Sequence, residues 1–462
     1  MLVFYKKNFQ NKPGKMRDMT QGSPAKLILQ FGFPLFIGLM FQQVYSMVDT
    51  MIAGRSIGES AIAAIGASSA VYSLLINFSS GLNNGYGLIV ARFFGEGDRE
   101  KLKKSIACML VLNIFMAVIL TAAALLVIRP LMHLLQTPEE VFGQALKYIM
   151  VIVGGLAATI FYNMCAGLLR AVGNSVIPLV FLIFSSVLNI ALDALFVICF
   201  HSDVSGVAAA TVMAQGVSTL LCGAFILKNY KEILPQKIHF KIDRTIRKEM
   251  VTTGFSMGLM MSVFDIGSIL LQGAINALGM EILAAHTAAR RLLVLFMQPQ
   301  GALSAAAATY VSQNWGAGKT ERIKKGMKDV FLMETVWSAA AWGLVLLFGQ
   351  AMIRLTTGTD NPLILDNAWM NLQINLPLFI PLGILVSLRT CMQGMGCKIA
   401  PVVSSFLELL IKIAAAFFVV PFWGYFGASL AEPSTWVVCV LFLIVVFGVK
   451  RKELLCQKIK KK

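Results

Sequence analysis

The chain has 462 residues, of which 57% are hydrophobic and only 14% charged, with a mean hydropathy of +0.74. Soluble domains carry about 25% charged residues, and apolar runs of roughly 20 residues, enough to cross a bilayer, recur along the whole length; a soluble globular protein is therefore excluded. The net charge of +17 would suit nucleic acid, but the basic residues sit between apolar runs and at the two ends, as cytoplasmic loops are marked, so nucleic-acid binding is excluded with it.

Residues 1–26 are polar and basic, and no short apolar core with a small-residue cleavage site follows. A cleaved signal peptide is not indicated, and Met16 and Met19 are alternative starts. Twelve candidate membrane helices then follow, at about 27–53, 60–91, 105–128, 141–169, 177–200, 206–227, 250–275, 282–312, 329–353, 367–389, 399–421 and 427–449. Pro34 lies in the first, where it predicts a kink below Asp49; a coupling hinge and an inert kink both fit. Asn163 falls in the fourth span, Asn189 and Asp193 in the fifth and Thr211 in the sixth. The stretch 228–250 carries seven Lys/Arg. Asp265 lies on the seventh span near Met257, Met260 and Met261, a group suited to an adaptable cavity. Glu334 stands near the expected start of the ninth and reads as a solvated end residue. Arg389 closes the tenth, Glu408 and Lys412 share the eleventh, and Glu432-Pro433 lies in the twelfth, ahead of the basic tail 450–462. By the positive-inside rule both termini are cytoplasmic.

The second half repeats the first. VARFFGEGDREKLKKSI (90–106) returns as VSQNWGAGKTERIKKGM (311–327), 221 residues on, with six of seventeen positions identical. GLLRAVGNSVIP (167–178) returns as TCMQGMGCKIAP (390–401), and Gly206–Ala210 as Gly427–Ala431. A repeat of this kind must be found first, because it decides the fold. Each half has six spans, an even number, so both enter the membrane from the same side and the repeats are parallel. The expected organisation is an N-terminal lobe over 27–227, a basic linker over 228–249, a C-terminal lobe over 250–449 and the tail. The twice-used basic loop reads as a tight turn and topology anchor, with a substrate gate as the alternative.

A charge at the centre of a membrane helix costs roughly 2.5–3.5 kcal/mol on insertion scales, so the acids in these spans need a reason. Asp49 aligns with Leu270 and Asp193 with Ala416; the fold does not require a carboxylate at either place. Asn189 and Asp193 are four apart and share a helix face, and Asn163 and Thr211 can add neutral oxygens. Such a set in hydrocarbon suits a proton or a small hard cation; the competing reading is a static polar knot. In the second half Glu408 and Lys412 are spaced to pair, so Asp265, Arg389, Glu408, Lys412 and Glu432 read either as a structural ion network or as a contribution to substrate binding or coupling. The eight cysteines and four histidines show no ligand or disulfide spacing.

The motifs FPLFIGLMFQQVYSMVDTMIAGRSIG (33–58), ARFFGEGDREKL (91–102), GLLRAVGNSVIP (167–178), SSVLNIALDALF (185–196) and GMGCKIAP (394–401), in this order, resemble the MATE family, the multidrug and toxic compound extrusion transporters. The resemblance covers about residues 19–450. It implies an all-α polytopic membrane protein with twelve helices in two six-helix lobes around a central cavity. It also implies efflux of organic, often cationic, compounds in exchange for H+ or Na+. In one branch of the family the coupling site lies in the N-terminal lobe, and its residues correspond to Asp49, Asn189, Asp193, Thr211 and Asn163. Another branch uses acids on the seventh and tenth helices; here Asp265 is present, but the tenth span offers Arg389, which favours the N-terminal site.

The expected function is a secondary-active antiporter of a bacterial cytoplasmic membrane, monomeric and without a cofactor, exporting small organic cations against H+ or Na+, with Na+ able to sit at Asp49 and Asp193. A flippase for lipid-linked oligosaccharide is the alternative, but it calls for fourteen spans and a more basic cavity than Arg389, read as the single span-interior arginine, provides. A membrane enzyme would need a constellation such as HExxH, which does not occur, or GxSxG with a base to activate its serine; GRSIG (54–58) and GFSMG (254–258) match the short pattern, but the pattern alone supplies no general base.

Overall fold

The computed structural model describes residues 16–134 and 137–456, and the regular structure among them is helical. The basic ends expected at 1–26 and 450–462 lie partly outside the described residues. In the first half the helices are α1 (Pro24–Ser56), α2 (Glu59–Glu96), α3 (Arg99–Leu134), α4 (Glu139–Gly154), α5 (Leu156–Ala171), α6 (Val176–Ala194) and α7 (Val204–Asn229). In the second they are α8 (Arg244–Asn276), α9 (Met280–Gly316), α10 (Thr320–Thr357), α11 (Pro362–Asn375), α12 (Phe379–Gly394), α13 (Ile399–Ala414) and α14 (Val420–Cys456).

Apolar content keeps these segments in hydrocarbon, and a helix is the form that satisfies every backbone polar group there without a partner strand. Among the described residues three crossings are bent or broken, the first being α2, which bends by 42° between Ser69 and Val71. α4 and α5 form the second, bent by 48° at Gly155, where a Cβ would fall 2.2 Å from Val212 Cγ1. α11 and α12 form the third, divided by the single 3-10 turn Leu376–Leu378. Residues 399–450 would run about 78 Å as one helix, far beyond a core of about 30 Å. Gly424, at φ 54° and ψ −137°, divides them into two crossings. Among the described residues the crossings number twelve. Pro34 is buried inside α1, and the helix runs through it without a break.

Two compact units result. One holds the residues up to Gln21 and Phe33–Val251; the other holds Gly22–Gly32 and Thr252 onward. α1 is thus shared, its first turns belonging to the second unit and the rest to the first. In the first unit α2 packs on α3, α4 and α5, and α7 on α4, α5 and α6. In the second unit α9 holds the place of α2, against α10, α11 and α12. The basic stretch after α7 is folded onto the first unit. Tyr230, Ile233 and His239 are buried, Arg92 pairs with Glu249, and Lys104 reaches Asp243 at 3.1 Å.

The repeat extends to backbone detail. Gly97 and Gly318 end α2 and α9 with φ of 76° and 71°, values costly for any residue with a Cβ. Gly173 and Gly396 form a second such pair, at 83° and 88°. α6 passes into a π turn, Leu195–Cys199, closed by the Phe200 N–H donating to the Leu195 carbonyl at 3.1 Å. α13 passes into another, Ala415–Val419, closed by the Val420 N–H on the Ala415 carbonyl.

One sequence expectation fails here. Glu334 is not a solvated end residue: α10 begins at Thr320, inside the basic loop, so Glu334 lies well along the helix with no exposed surface. The edge of an apolar run marks the membrane boundary, whereas the helix starts earlier, where the backbone first finds its ladder.

Candidate functional site

In the first unit the carboxyl groups of Asp49 on α1 and Asp193 on α6 are direct neighbours, within hydrogen-bonding reach of each other. Asp193 is fully buried. Asp49 Oδ1 and both Asp193 oxygens have no other hydrogen-bond partner. Asn189, one turn before Asp193, donates Nδ2 to Thr211 Oγ1 on α7 at 3.4 Å and leaves its own Oδ1 unpartnered. Thr211 donates to the Val207 carbonyl at 3.2 Å. Asn163 is half-buried on α5, and no hydrogen bond joins it to the other four among the described residues. Four of the five expected residues are therefore assembled.

Two carboxylates side by side in a low dielectric cannot both carry full charge unless a proton or a cation lies between them. The unpartnered oxygens of Asp49, Asp193 and Asn189 are all acceptors in need of one. Sequence reasoning missed the aromatic hydroxyls around them. Tyr45 on α1, Tyr72 on α2 and Tyr148 on α4 lie within electrostatic reach of Asp49, and Tyr148 also of Asp193. Only Tyr45 carried a signal, since it precedes Asp49 by one helical turn and so shares its face.

Four of the five expected charges of the second unit, Arg389, Glu408, Lys412 and Glu432, form one connected network. Both Arg389 Nη1 and Nη2 donate to Glu408 Oε2 at 3.0 Å, and Nε donates to Ser404 Oγ at 2.8 Å. Lys412 Nζ lies 3.3 Å from Glu408 Oε1 and 3.7 Å from Glu432 Oε1. It also sits 3.3 Å from Ser268 Oγ and 4.2 Å from the Phe264 ring. Arg290 Nη1 closes the chain on Glu432 Oε2 at 2.5 Å. Asp265 is half-buried on α8, one turn before Ser268. Arg290 corrects the expectation of a single span-interior arginine: three cations meet two carboxylates in this network. Beside it lies a cavity of about 60 Å³ lined in part by Arg290, Glu432, His286, Gln272, Asn371 and Asn375. Met257 and Met260 are buried away from that lining.

The two constellations occupy the same places of the repeat. Asn189 corresponds to Lys412 and Thr211 to Glu432; each pair is in contact in its own unit. A neutral pair beside two acids stands in one half, and an ion pair stands in the other.

A model of the MatE family matches the chain twice, over residues 34–195 and 256–418, once in each half. The chain belongs to the MatE family. MatE proteins are transporters, so the chain is a multi-pass membrane transporter and not an enzyme. Among MatE relatives, the probable multidrug resistance protein YpnP of Bacillus subtilis is 27% identical over 345 residues, 74% of this chain and 76% of that one. The multidrug export protein MepA of Staphylococcus saprophyticus is 20% identical over 97% of this chain and 98% of its own. A FAD transporter of Shewanella oneidensis is 22% identical over 84% and 86%. Among solved structures, an outward-facing multidrug resistance MATE family transporter of the MOP superfamily superposes with a TM-score of 0.88 at 21% identity, over 96% of this chain and 99% of that one. At that identity the likeness shows the fold.

Proposed function

We propose that this MatE protein is a secondary-active antiporter that exports small organic compounds, organic cations first among them, in exchange for H+ or Na+. The observation that carries this reading is the Asp49–Asp193 pair, Asp193 fully buried and Asp49 half-buried, with no donor to Asp49 Oδ1 or to either Asp193 oxygen. The relatives named as multidrug resistance and export proteins support the cargo class. Asn189 and Thr211 complete the ion site, with Asn163 at its margin and Tyr45, Tyr72 and Tyr148 around it. The charges Asp265, Arg389, Glu408, Lys412 and Glu432 contribute to substrate binding beside the second-unit cavity. The basic loops put both termini on the cytoplasmic side of a bacterial inner membrane. The working unit is a monomer.

In the cycle we infer, protons or Na+ from outside neutralise Asp49 and Asp193, α1 bends at Pro34, and cargo is released outward. An ion drives such a switch only through different affinity for its two states.

The test is transport of a fluorescent cation in proteoliposomes under an imposed pH gradient or, separately, a sodium gradient, with wild type and Asp49→Asn side by side. Gradient-driven transport that the mutant loses supports the pair as the coupling site and names the ion. Normal transport by Asp49→Asn moves coupling to the second-unit charges. No cation movement in wild type overturns the cationic cargo, and a fluorescent anion run in parallel tests the opposite charge.

A further inference from the structure

Glu334 belongs to neither constellation. Its Oε1 accepts a hydrogen bond from the Ser387 hydroxyl on α12 at 3.0 Å. Its Oε2 is buried without a partner. No ion pair among the described residues includes it. Gln300 on α9, 2% exposed, faces the same place. Its Nε2 donates to Ser338 Oγ at 3.0 Å and to the Phe379 carbonyl at 2.9 Å, while its Oε1 has no partner. Gly383 lies between the two side chains. A Cβ there would come within 2.8 Å of Glu334 Oε2 and 3.0 Å of Gln300 Nε2. The missing side chain is what gives the carboxyl its room.

The neighbours are otherwise neutral. From α12 the one titratable group facing Glu334 is the Cys391 thiol. α9 presents the Gln300 amide, and Ser338 on α10 itself donates only to the Glu334 carbonyl. An ionised carboxylate sealed from water with one hydroxyl donor and no cation is among the costliest states a membrane helix can hold. The protonated form removes the charge. The location matters as much as the burial. Phe379 is the first residue of α12, next to the Leu376–Leu378 turn that breaks this crossing, and Gln300 ties that point to α9. If Glu334 ionised, its bare Oε2 would compete for the Gln300 amide, and the Phe379 carbonyl at the break would lose its donor.

We propose that Glu334, Ser387 and Gln300 form a second proton-binding site, built on the break between α11 and α12, whose deprotonation loosens that break. The antiport reading gives this site its use, as a proton carried in addition to the one at Asp49 and Asp193; the binding itself is tested without transport.

The experiment is infrared titration of the purified protein in lipid vesicles, with no gradient imposed. Subtracting Glu334→Gln from wild type isolates the carboxylic-acid C=O stretch of Glu334. The expected result is a band present at low pH that disappears reversibly as pH rises, together with a shift of a glutamine amide band that Gln300→Leu removes. Glu334→Asp, which keeps the carboxyl but shortens its reach, moves the band and guards against a misfolded Glu334→Gln. A band that persists over the whole pH range in which the protein stays folded, or one that never appears, overturns the proposal. Protons counted per cargo molecule in proteoliposomes should fall by one in Glu334→Gln; an unchanged count overturns the site's part in transport. Absence of gradient-driven transport in wild type fails the antiport reading and leaves the infrared result standing.

Discussion

Lys412 and Glu432 lie 3.7 Å apart in the second unit, at the two places of the repeat where Asn189 and Thr211 lie 3.4 Å apart in the first. The fold keeps a polar contact between these two helices in both halves, and the sequence decides whether it is neutral or charged. Where it is neutral, two acids stand beside it without partners. Where it is charged, the acids are already matched by cations. One constellation keeps acceptors without donors, and the other is closed on itself.

Asp193→Asn should therefore act in two directions. Gradient-driven transport should fall to the level of protein-free vesicles, because a lone carboxylate no longer needs the shared ion. Thermal stability in detergent should rise, because a buried group without a donor costs about 1–3 kcal/mol and the amide supplies one. A melting curve and a transport assay on the same preparation check both. A fall in both would make the pair a structural knot.

The closed network should respond as a unit. Glu408→Gln leaves Arg389 and Lys412 without their common carboxylate, and breaking a buried pair costs about 3–5 kcal/mol. Glu408→Leu combined with Lys412→Met leaves one cation, Arg389, without its carboxylate instead of two, and should be less destabilised than Glu408→Leu alone, whereas Lys412→Met alone keeps both carboxylates matched by Arg389 and Arg290 and should be the mildest of the three. Unfolding midpoints of the two single variants and the double form the cycle; additive losses would mean that the pair is not coupled.

Gly326→Ala probes the packing that seats α10 on α9. A Cβ there would fall 2.3 Å from Tyr310 Cε1, and Tyr310 is fully buried with its hydroxyl donating to the Arg322 carbonyl at 3.0 Å. The ring cannot swing away without losing that bond. Overpacking of this kind costs about 1–3 kcal/mol, read as a lower melting temperature that Tyr310→Leu in the same background partly restores.

Asp203, in the link before α7, carries a pH dependence of known sign. The Ser205 hydroxyl donates to its Oδ1 at 2.5 Å and the Ser205 N–H at 2.9 Å. These bonds, the hydroxyl first, with Lys147 adding to them, hold its carboxyl below the usual range. A depressed carboxyl contributes stability that is fully present above the ordinary carboxylate range and is lost as pH falls through the lowered value. Melting temperature should thus decline on acidification more steeply in wild type than in Asp203→Asn, which keeps an acceptor at the cap. Asp203→Ala, which removes the cap, should cost about 1 kcal/mol at neutral pH.

Asp49 and Asp193 were legible because a carboxylate in an apolar run stands out, and the repeat shows that its place does not need one. Tyr72 and Tyr148 were not, since tyrosine is ordinary in such runs and only tertiary packing turns those hydroxyls toward the pair. Arg290 was passed over although it lies inside the expected span 282–312; the structure holds it half-buried against Glu432. Glu334 was misplaced for a different reason: hydropathy reports the membrane edge, and α10 starts about four turns before Glu334. The crossings themselves were readable because apolar length and glycine turns encode them locally. The break at Leu376–Leu378 carries a local signal, Pro377, within the turn itself, whereas the bend at Gly155 lies where Val212 packs against the backbone.

The two π turns give each half an allowance that regular helices lack. Deleting one residue from a membrane helix ordinarily swings every later side chain by about 100° around the axis. Within Leu195–Cys199 or Ala415–Val419 the same deletion would return the backbone to regular winding, since a π turn holds one residue more than the α ladder needs. That slack lies just beyond Asp193 in one half and just beyond Lys412 in the other. The wall of each constellation can therefore be rewound at its edge while Asp193 in one half and the ion-paired Lys412 in the other stay on their own rigid turns.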